Sequence, residues 1–564
     1  MYNTIRMYQL IVEDKQFMFY DFNSIEPECS NPKLNALSIK THKLFSNDVL
    51  DHTGDLIYSY IRAGEIVPGV LILSGNRTYG KNENGKRLLY KCIPDNRALP
   101  AFLVPYDLKL GFSKDVKNKY IVFKYDHWND KHPRGIIVET LGDVNELSVY
   151  YEYRLYSRNI HDSISSFTSK TRELVKQKTD LYESVVSNPK FAIEKRLDVP
   201  VFSIDPAGCT DIDDAFSIKE ESGVYKISIY IANVFVWMDA LGLWDQIDAR
   251  VSTIYLPDKR RTMLPTILSE NLCSLLEKQN RIAFCMDVFV DSDGKNIREP
   301  EYKNVEIKVH YNFAYEEPKM RSNKYYKMML DVTRKMKNDV NDSHDLIEYW
   351  MIYMNSMCGE RLASNKNGVF RTATISENTT SKFKKIIRDW NDVNCKYMPF
   401  SCDAVISHQV LKINSYVHIT SPIRRLVDLL NQTIFIQQMG IAEISSDAEK
   451  FIDKWKHKIE YVNMKTKSIR KVQTDCDVMS LCHNNPEMLT QTYDGVVFNK
   501  INRNDGMIGY SVYIESLKIF SKIKTHIDLP EYSEAKFKLY YFGDEYDSNR
   551  KLRFQFISER IELY

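Results

Sequence analysis

Val201-Phe-Ser-Ile-Asp205-Pro-Ala-Gly-Cys-Thr-Asp211-Ile-Asp213-Asp214-Ala-Phe216 sets four carboxylates between two apolar runs. The pattern predicts a strand ending on Asp205, a Pro206-Ala-Gly208 turn, and a second strand leaving from Asp214. Unit charges ~4 Å apart repel by about 4 kcal/mol at an effective dielectric of about 20. Such a cluster must raise its pKa values, open up, or take a counter-charge. Carboxylate oxygens suit Mg²⁺ or Mn²⁺, and magnesium is commonly held by one or two carboxylates together with substrate phosphate. That leaves a third or fourth aspartate free to position an attacking water. The spacing does not fit a calcium loop, which needs alternating ligands, a central glycine and a distal glutamate. An exposed acidic turn without function is the competing reading. Apolar flanks, which bring the acids to the edge of a core, argue against it.

Outward from this loop the middle of the chain reads as mixed α/β. Residues 224–231 alternate as a strand, and 284–290 with 302–310 flank the Asp291-Ser-Asp-Gly294 turn as a hairpin. A helix is expected over 344–364, where Leu346, Ile347, Trp350, Met351, Met354 and Met357 recur at helical spacing as core. Further helices are expected over 421–438 and, basic in character, over 447–475. A polar helical segment over 160–195 leads in. Before it, runs at 66–73, 120–125 and 135–140 read as short strands of small barrels or sandwiches. After residue 486 the chain returns to β, with runs at 494–498, 509–514, 537–542 and 552–556. Small five-stranded barrels bind single strands by stacking bases on aromatics, for which Tyr510, Tyr513, Tyr540, Tyr541 and Phe542 are candidates; core filling is the alternative for each.

At 564 residues the chain exceeds one hydrophobic core, so several domains are expected. Its 43% hydrophobic and 27% charged residues are those of a globular protein. A net charge of +2 announces no polyanion partner, but a local basic groove can be balanced by acidic residues elsewhere. The ten cysteines form no Cys-x-x-Cys pair, which speaks against a zinc ribbon and for reduced, mostly buried thiols. No apolar run reaches the ~18 residues of a membrane span, and the charged start does not resemble a signal peptide. A soluble intracellular protein is expected, in cytoplasm or nucleus.

Tyr416-Val-His-Ile-Thr420-Ser-Pro-Ile-Arg424-Arg425-Leu-Val-Asp428 offers a basic partner for a phosphate. Thr420 or Ser421 is expected to cap a helix beginning at Pro422, with Arg424 and Arg425 in its first turn. Cations are disfavoured there by the macrodipole unless a phosphate sits between them and the helix end. The alternative is a salt bridge from Arg424 to Asp428. Tyr255-Leu-Pro-Asp-Lys-Arg-Arg-Thr-Met-Leu-Pro265 combines an aromatic with three cations, and alone reads as a basic surface loop.

In this order the three stretches, together with Asn271-Leu-Cys-Ser-Leu275 and Arg281-Ile-Ala-Phe284, resemble the catalytic domain of the RNase II/RNase R/Dis3 (RNB) exoribonuclease family. Trp128, Pro133-Arg-Gly135 and Leu141-Gly-Asp143 resemble the second cold-shock domain of Dis3-type members. The resemblance implies a multidomain α+β chain, with a mixed α/β RNB catalytic domain flanked by small OB-fold β-barrels. Residues 1–62 would form a degenerate cold-shock-like OB domain and 63–155 a second one. Residues 156–485 would form the RNB domain and 486–564 an S1-like OB domain. It further implies Mg²⁺-dependent (or Mn²⁺-dependent), processive 3′→5′ hydrolysis of single-stranded RNA to nucleoside 5′-monophosphates. By position, Asp205 and Asp214 resemble metal ligands and Asp211 a residue supporting the metal or its water. Asp213 resembles the acid needed for cleavage but not for binding, and Arg424 the arginine on the scissile phosphate. Tyr255 resembles the aromatic clamp at the 3′ end, with Ser421 and Arg425 as further RNA contacts. The partner is single-stranded RNA, bound by a monomer that can join an RNA-decay complex.

The sequence departs from the family at four places. Tyr230-Ile-Ala-Asn233 stands where His-Ile-Ala-Asp is usual, and Leu426 replaces a tyrosine. A His-Arg pair beyond Asp428 is absent, and Asp475 stands where an active-site glutamate is expected. None removes an implied metal ligand, so activity is expected. The competing reading is a catalytically impaired RNA-binding or adaptor subunit of a decay complex.

Overall fold

The computed structural model describes residues 6–13, 16–22, 32–35, 37–108, 116–373, 386, 390, 395–401, 406–503, 505–543 and 550–557. The chain divides into two compact units. One comprises Asp162–Tyr255 and Lys259–Arg470; the other comprises Met1–His161, Leu256–Asp258 and Lys471–Tyr564.

The first of these units is built on a closed five-stranded barrel. Its strands are Ile193–Asp205, Asp214–Glu221, Val224–Ala232, Asn280–Val290 and Glu301–Ala314. Neighbours pair antiparallel, except that Ile193–Asp205 and Glu301–Ala314 run parallel to close the ring. Pro200 cannot donate to a ladder, and the register of Ile193–Asp205 is broken between Arg196 and Val201, where the proline sits. Phe202, Ile204, Phe216, Ile218, Ile229, Met286 and Ile307 lie in the core.

Val224–Ala232 is buried on both faces at its C-terminal end because helix Leu426–Gln438 covers that wall. Phe435 packs on Phe284 and Tyr302, and the Gln432 amide donates to the Ala232 carbonyl at 3.0 Å. A helix enclosed all round must satisfy its polar side chains internally. Asn431 accordingly donates to the Val369 and His418 carbonyls. Helix Ser343–Ser364 buries Leu346, Ile347, Trp350 and Met354 as its spacing predicts, with Met351 and Met357 half-buried. Gly359 lets this helix meet the chain entering the arginine segment: a Cβ there would lie 2.6 Å from the Ser415 carbonyl oxygen.

Among the described residues the other unit holds three antiparallel sheets. The first orders Gln16–Asp21, Met7–Glu13, Val49–Asp51 and Leu56–Tyr58. The second orders Phe102–Tyr106, Leu88–Pro94, Val67–Leu71, Lys119–Tyr125 and Gly135–Asp143 around Phe45, Phe102, Phe123 and Trp128. The third orders Ile519–Thr525, Ile508–Ile514, Thr492–Asn502, Glu534–Phe542 and Lys551–Phe556. Its first strand, Ile-Phe-Ser-Lys-Ile-Lys-Thr, has too few apolar residues to read as a strand by itself. Of the aromatic candidates, Tyr540, Tyr541 and Phe542 are exposed, whereas Tyr510 is core and accepts the Leu529 amide on its hydroxyl. Tyr513 packs against Phe520.

The basic region after residue 446 is two helices, Ser446–His457 and Ile459–Asn484. Among the described residues no helix is long and apolar enough to cross a membrane. The described cysteines are free thiols, all buried save Cys209 and Cys395.

Candidate active site

The barrel brings the acids together. Asp205 ends one strand and Asp214 begins its antiparallel neighbour, so the connecting loop stays at one end of the barrel. Ser274 fixes that loop: its hydroxyl accepts the Ile212 amide at 2.9 Å and donates to the Thr210 carbonyl at 2.8 Å. The buried Arg281 in turn donates to the Ser274 carbonyl at 2.7 Å. The segments Asn271–Leu275 and Arg281–Phe284 thus hold the aspartate loop in place, a role no reading of spacing reveals.

Asp213 is 3% exposed and faces the arginine segment. One carboxylate oxygen accepts the Ile423 amide at 2.9 Å and the other accepts Arg424 Nε at 3.1 Å. Arg424 Nη2 donates to Ser421 Oγ at 3.0 Å, while the side chain stays 42% exposed. Two of its nitrogens are therefore held by protein and the rest of the fork is presented outward. The 251–253 segment pairs with this stretch, the Thr253 amide donating to the Arg424 carbonyl at 3.0 Å and the Leu426 amide to the Val251 carbonyl. Tyr255, two residues on and 40% exposed, is thereby placed beside Arg424 and lies 3.5 Å from Asp211.

The structure differs from the expected arginine geometry. The helix begins at Leu426, with Arg425 at its N-cap position, so both arginines precede it on a turn. Proline at 422 starts that turn rather than a helix, because the Arg424 and Arg425 amides bond back to the Ser421 carbonyl. The salt bridge to Asp428 is made by Arg425, at 2.8 Å, and not by Arg424. Asp428 also accepts the Ser421 amide, so Arg425 and Ser421 brace the turn that aims Arg424.

Electrostatics mark the loop as short of positive charge. Removal from water pushes the Asp213 carboxyl up to about 7, against the pull of Arg424. The same cause pushes Asp205 up to about 6. Burial and the charges of Asp205 and Asp213 raise Asp214 well above the ordinary range. One Asp205 oxygen is buried without a hydrogen-bond partner. This orphaned oxygen beside a mutually repelling Asp205–Asp214 pair fits one cation held by two carboxylates, with water and phosphate completing its coordination. Among the described residues no group of three carboxylate, imidazole or thiol side chains is arranged to hold a metal. Asp211 is engaged elsewhere: it forms an ion pair with Arg260.

Sequence reasoning missed Tyr315. Parallel pairing of Asp205 with Ala314 sets it next to the acids, and its amide donates to the Asp205 carbonyl at 3.1 Å. Burial, then Asp214 and Asp205, raise its hydroxyl pKa, and its ring stacks on His344 at 3.9 Å. His418 is buried between Tyr397 and Arg371, each 2.9 Å away. Arg371 can only donate, so His418 Nε2 accepts and Nδ1 carries the proton. Burial and the surrounding arginines keep this ring neutral.

The departures from the family pattern have structural uses. Asn233 caps helix Val234–Ala240 and donates to Asn304 at 2.8 Å. The buried Tyr230 hydroxyl shares a hydrogen bond with Ser217, and Leu426 is core. Asp475 accepts from Arg154 at 2.9 Å and from Lys471.

An RNB domain model matches residues 195–324 and 318–439, and a Dis3-like cold-shock domain 2 (CSD2) model matches 89–157. The probable exosome complex exonuclease RRP44 of Caenorhabditis elegans is 29% identical over 209 residues, 36% of this chain. The match spans only 21% of that relative's length. Among solved structures, Mycoplasma genitalium RNase R in complex with ribose-methylated single-stranded RNA superposes with a TM-score of 0.69 at 16% identity, covering 97% of this chain and all of the other. Yeast Ssd1, a pseudonuclease, superposes with a TM-score of 0.57 at 14% identity over 95% of this chain and 80% of its own.

Proposed function

The chain is an RNB-domain protein of the RNase II/RNase R/Dis3 kind with a Dis3-like cold-shock domain, and from that premise we propose that it is an active 3′→5′ exoribonuclease hydrolysing single-stranded RNA to nucleoside 5′-monophosphates. The observation that carries the reading is the buried Asp213, which grips Arg424 and leaves part of the guanidinium facing outward beside Asp205 and Asp214. Buried carboxylates next to a half-exposed, pre-aimed arginine suit phosphoryl chemistry better than structural pairing.

In this reading Asp205 and Asp214 hold the divalent ion. When bound, it would neutralise phosphate charge and lower the pKa of a water so that it can lose a proton and attack as hydroxide. Asp213 and Ser421 fix Arg424 before substrate arrives, so its free N–H groups meet the scissile phosphate without reorganisation. As the in-line attack gathers charge on the phosphate oxygens, the same guanidinium stabilises it. Tyr255 offers a ring face to the base at the 3′ end. All these residues come from one chain, so a monomer is expected to suffice, whatever larger assembly it joins.

The second reading, a non-catalytic RNA-binding or adaptor subunit, has in its favour that Asp211 is occupied by Arg260. One assay separates the two. Uniformly labelled single-stranded RNA is incubated with the protein and Mg²⁺, with and without EDTA, and products are resolved by thin-layer chromatography. Mg²⁺-dependent release of 5′-mononucleotides is expected; binding without release would leave only the second reading.

A further inference from the structure

The basic stretch after Tyr255 turns inward. Residues 254–255 and 260–261 pair as a two-stranded ribbon in which Tyr255 and Arg260 are direct cross-strand partners. Side chains of such partners project to the same side. Both reach Asp211: Arg260 Nη1 donates to one carboxylate oxygen, and the Tyr255 hydroxyl lies 3.5 Å from the other. Arg260 Nη2 donates to Thr210 Oγ1 and, at 2.8 Å, to Glu270. The guanidinium is thus fastened on one side to the aspartate loop and on the other to Glu270. Asp211 is 6% exposed, so it has little freedom to swing away from this partner.

We propose that Arg260 is a positioning residue that holds Asp211 out of direct contact with the divalent ion, and ties that carboxylate to the strand pair carrying Tyr255. The inference rests on the nuclease reading above and deepens it. Asp211 keeps one oxygen bonded to Arg260 and can meet the ion only through water, leaving Asp205 and Asp214 as direct ligands. Seating a 3′-terminal base on Tyr255 then loads the same ribbon that orients Asp211. Removing a group that orients a metal's shell typically costs about 10–100-fold in metal affinity or activity, and here the cost should fall on activity because the freed carboxylate adds a ligand.

The test is Mn²⁺ binding to the full-length, metal-free protein, followed by the loss of the free-ion EPR signal. It needs wild type, Asp211→Asn, Arg260→Met, Arg260→Lys and the Arg260→Met/Asp211→Asn double variant. Melting temperatures would confirm that each is folded. Relative to wild type, Asp211→Asn should change the Mn²⁺ Kd by less than about threefold, whereas Arg260→Met should tighten it by about tenfold, the effect of about 1.4 kcal/mol from freeing Asp211 to ligate. That gain should vanish in the double variant, and Arg260→Lys should lie near wild type. Single-turnover cleavage by Arg260→Met should be slower despite the tighter ion. If the gain persists in the double variant, whose net charge equals that of wild type, it does not come from Asp211 and the proposal is wrong. If Arg260→Met leaves Mn²⁺ binding unchanged or weakens it, the pairing is only structural. If wild type binds no Mn²⁺ at all, the nuclease reading itself fails, and the proposal with it.

Discussion

Asp213→Asn removes one negative charge and almost no volume from a buried position. In the native site the two carboxylate oxygens serve two donors, the Ile423 amide at 2.9 Å and Arg424 Nε at 3.1 Å. An asparagine has one acceptor oxygen, so its amide nitrogen must face one of those donors. A hydrogen bond to a charged group contributes about 1.5–3 kcal/mol, which corresponds to roughly 10- to 150-fold in rate if felt wholly in the transition state. Loss of a pre-aimed donor to a developing oxyanion costs about 10²–10³-fold. We therefore expect single-turnover cleavage of 5′-labelled RNA at saturating Mg²⁺ to fall by about 10²–10³-fold. RNA affinity, measured by anisotropy at the same salt, should stay within about threefold, because Asp213 is nearly inaccessible and Arg424 keeps its charge. Cleavage within about tenfold of wild type would refute the reasoning, since the lost bond alone predicts more. So would a parallel loss of affinity, which would mean that Asp213 holds RNA and not the arginine.

Arg424→Lys keeps the charge but loses the planar fork whose separate nitrogens reach Asp213, Ser421 and phosphate; cleavage should drop about 10²-fold with RNA affinity nearly unchanged in the same assays. Ser274→Ala orphans the Ile212 amide and the Thr210 carbonyl in a buried setting, and should cost about 1–3 kcal/mol in urea unfolding as well as slowing cleavage. The raised Asp213 carboxyl gives a signed pH effect. Its folded value of about 7 exceeds the ordinary 3.8, so its contribution to stability is full below 3.8 and is lost as pH rises through 7. In metal-free protein the melting temperature of Asp213→Asn relative to wild type should therefore increase from pH 5 to pH 8; a constant difference would contradict the assignment.

The strands flanking the aspartate loop and helix Ser343–Ser364 are legible because each is written in contiguous residues with a clear period, whereas the one helix expected over 447–475 is two, Ser446–His457 and Ile459–Asn484. The Ile519–Thr525 strand is not legible, because its lysines and serine leave no apolar run and only its ladder partner identifies it. The sequence offers the arginine segment as a phosphate partner at a helix start; the pairing of Arg424 with Asp213 and the local geometry are visible only in the fold. Proline at 422 suits a helix start, yet the Ser421 carbonyl captures two amides and delays the helix to Leu426. Asp428 was the natural i+4 partner for Arg424, whereas the fold delivers Asp213 from another strand end. Tyr315, Ser274 and Arg260 were invisible as site residues for the same reason. Each is brought to the aspartates by strand pairing or by a loop contact far from it in sequence.

The most direct test of the central claim is directional. The same single-stranded RNA, labelled at its 5′ end, at its 3′ end, or circularised, is incubated with the protein and Mg²⁺. A 3′ label should appear at once as mononucleotide, a 5′ label should shift gradually to shorter products, and the circle should survive. Cleavage of the circle, or early release of the 5′ label as mononucleotide, would contradict the account.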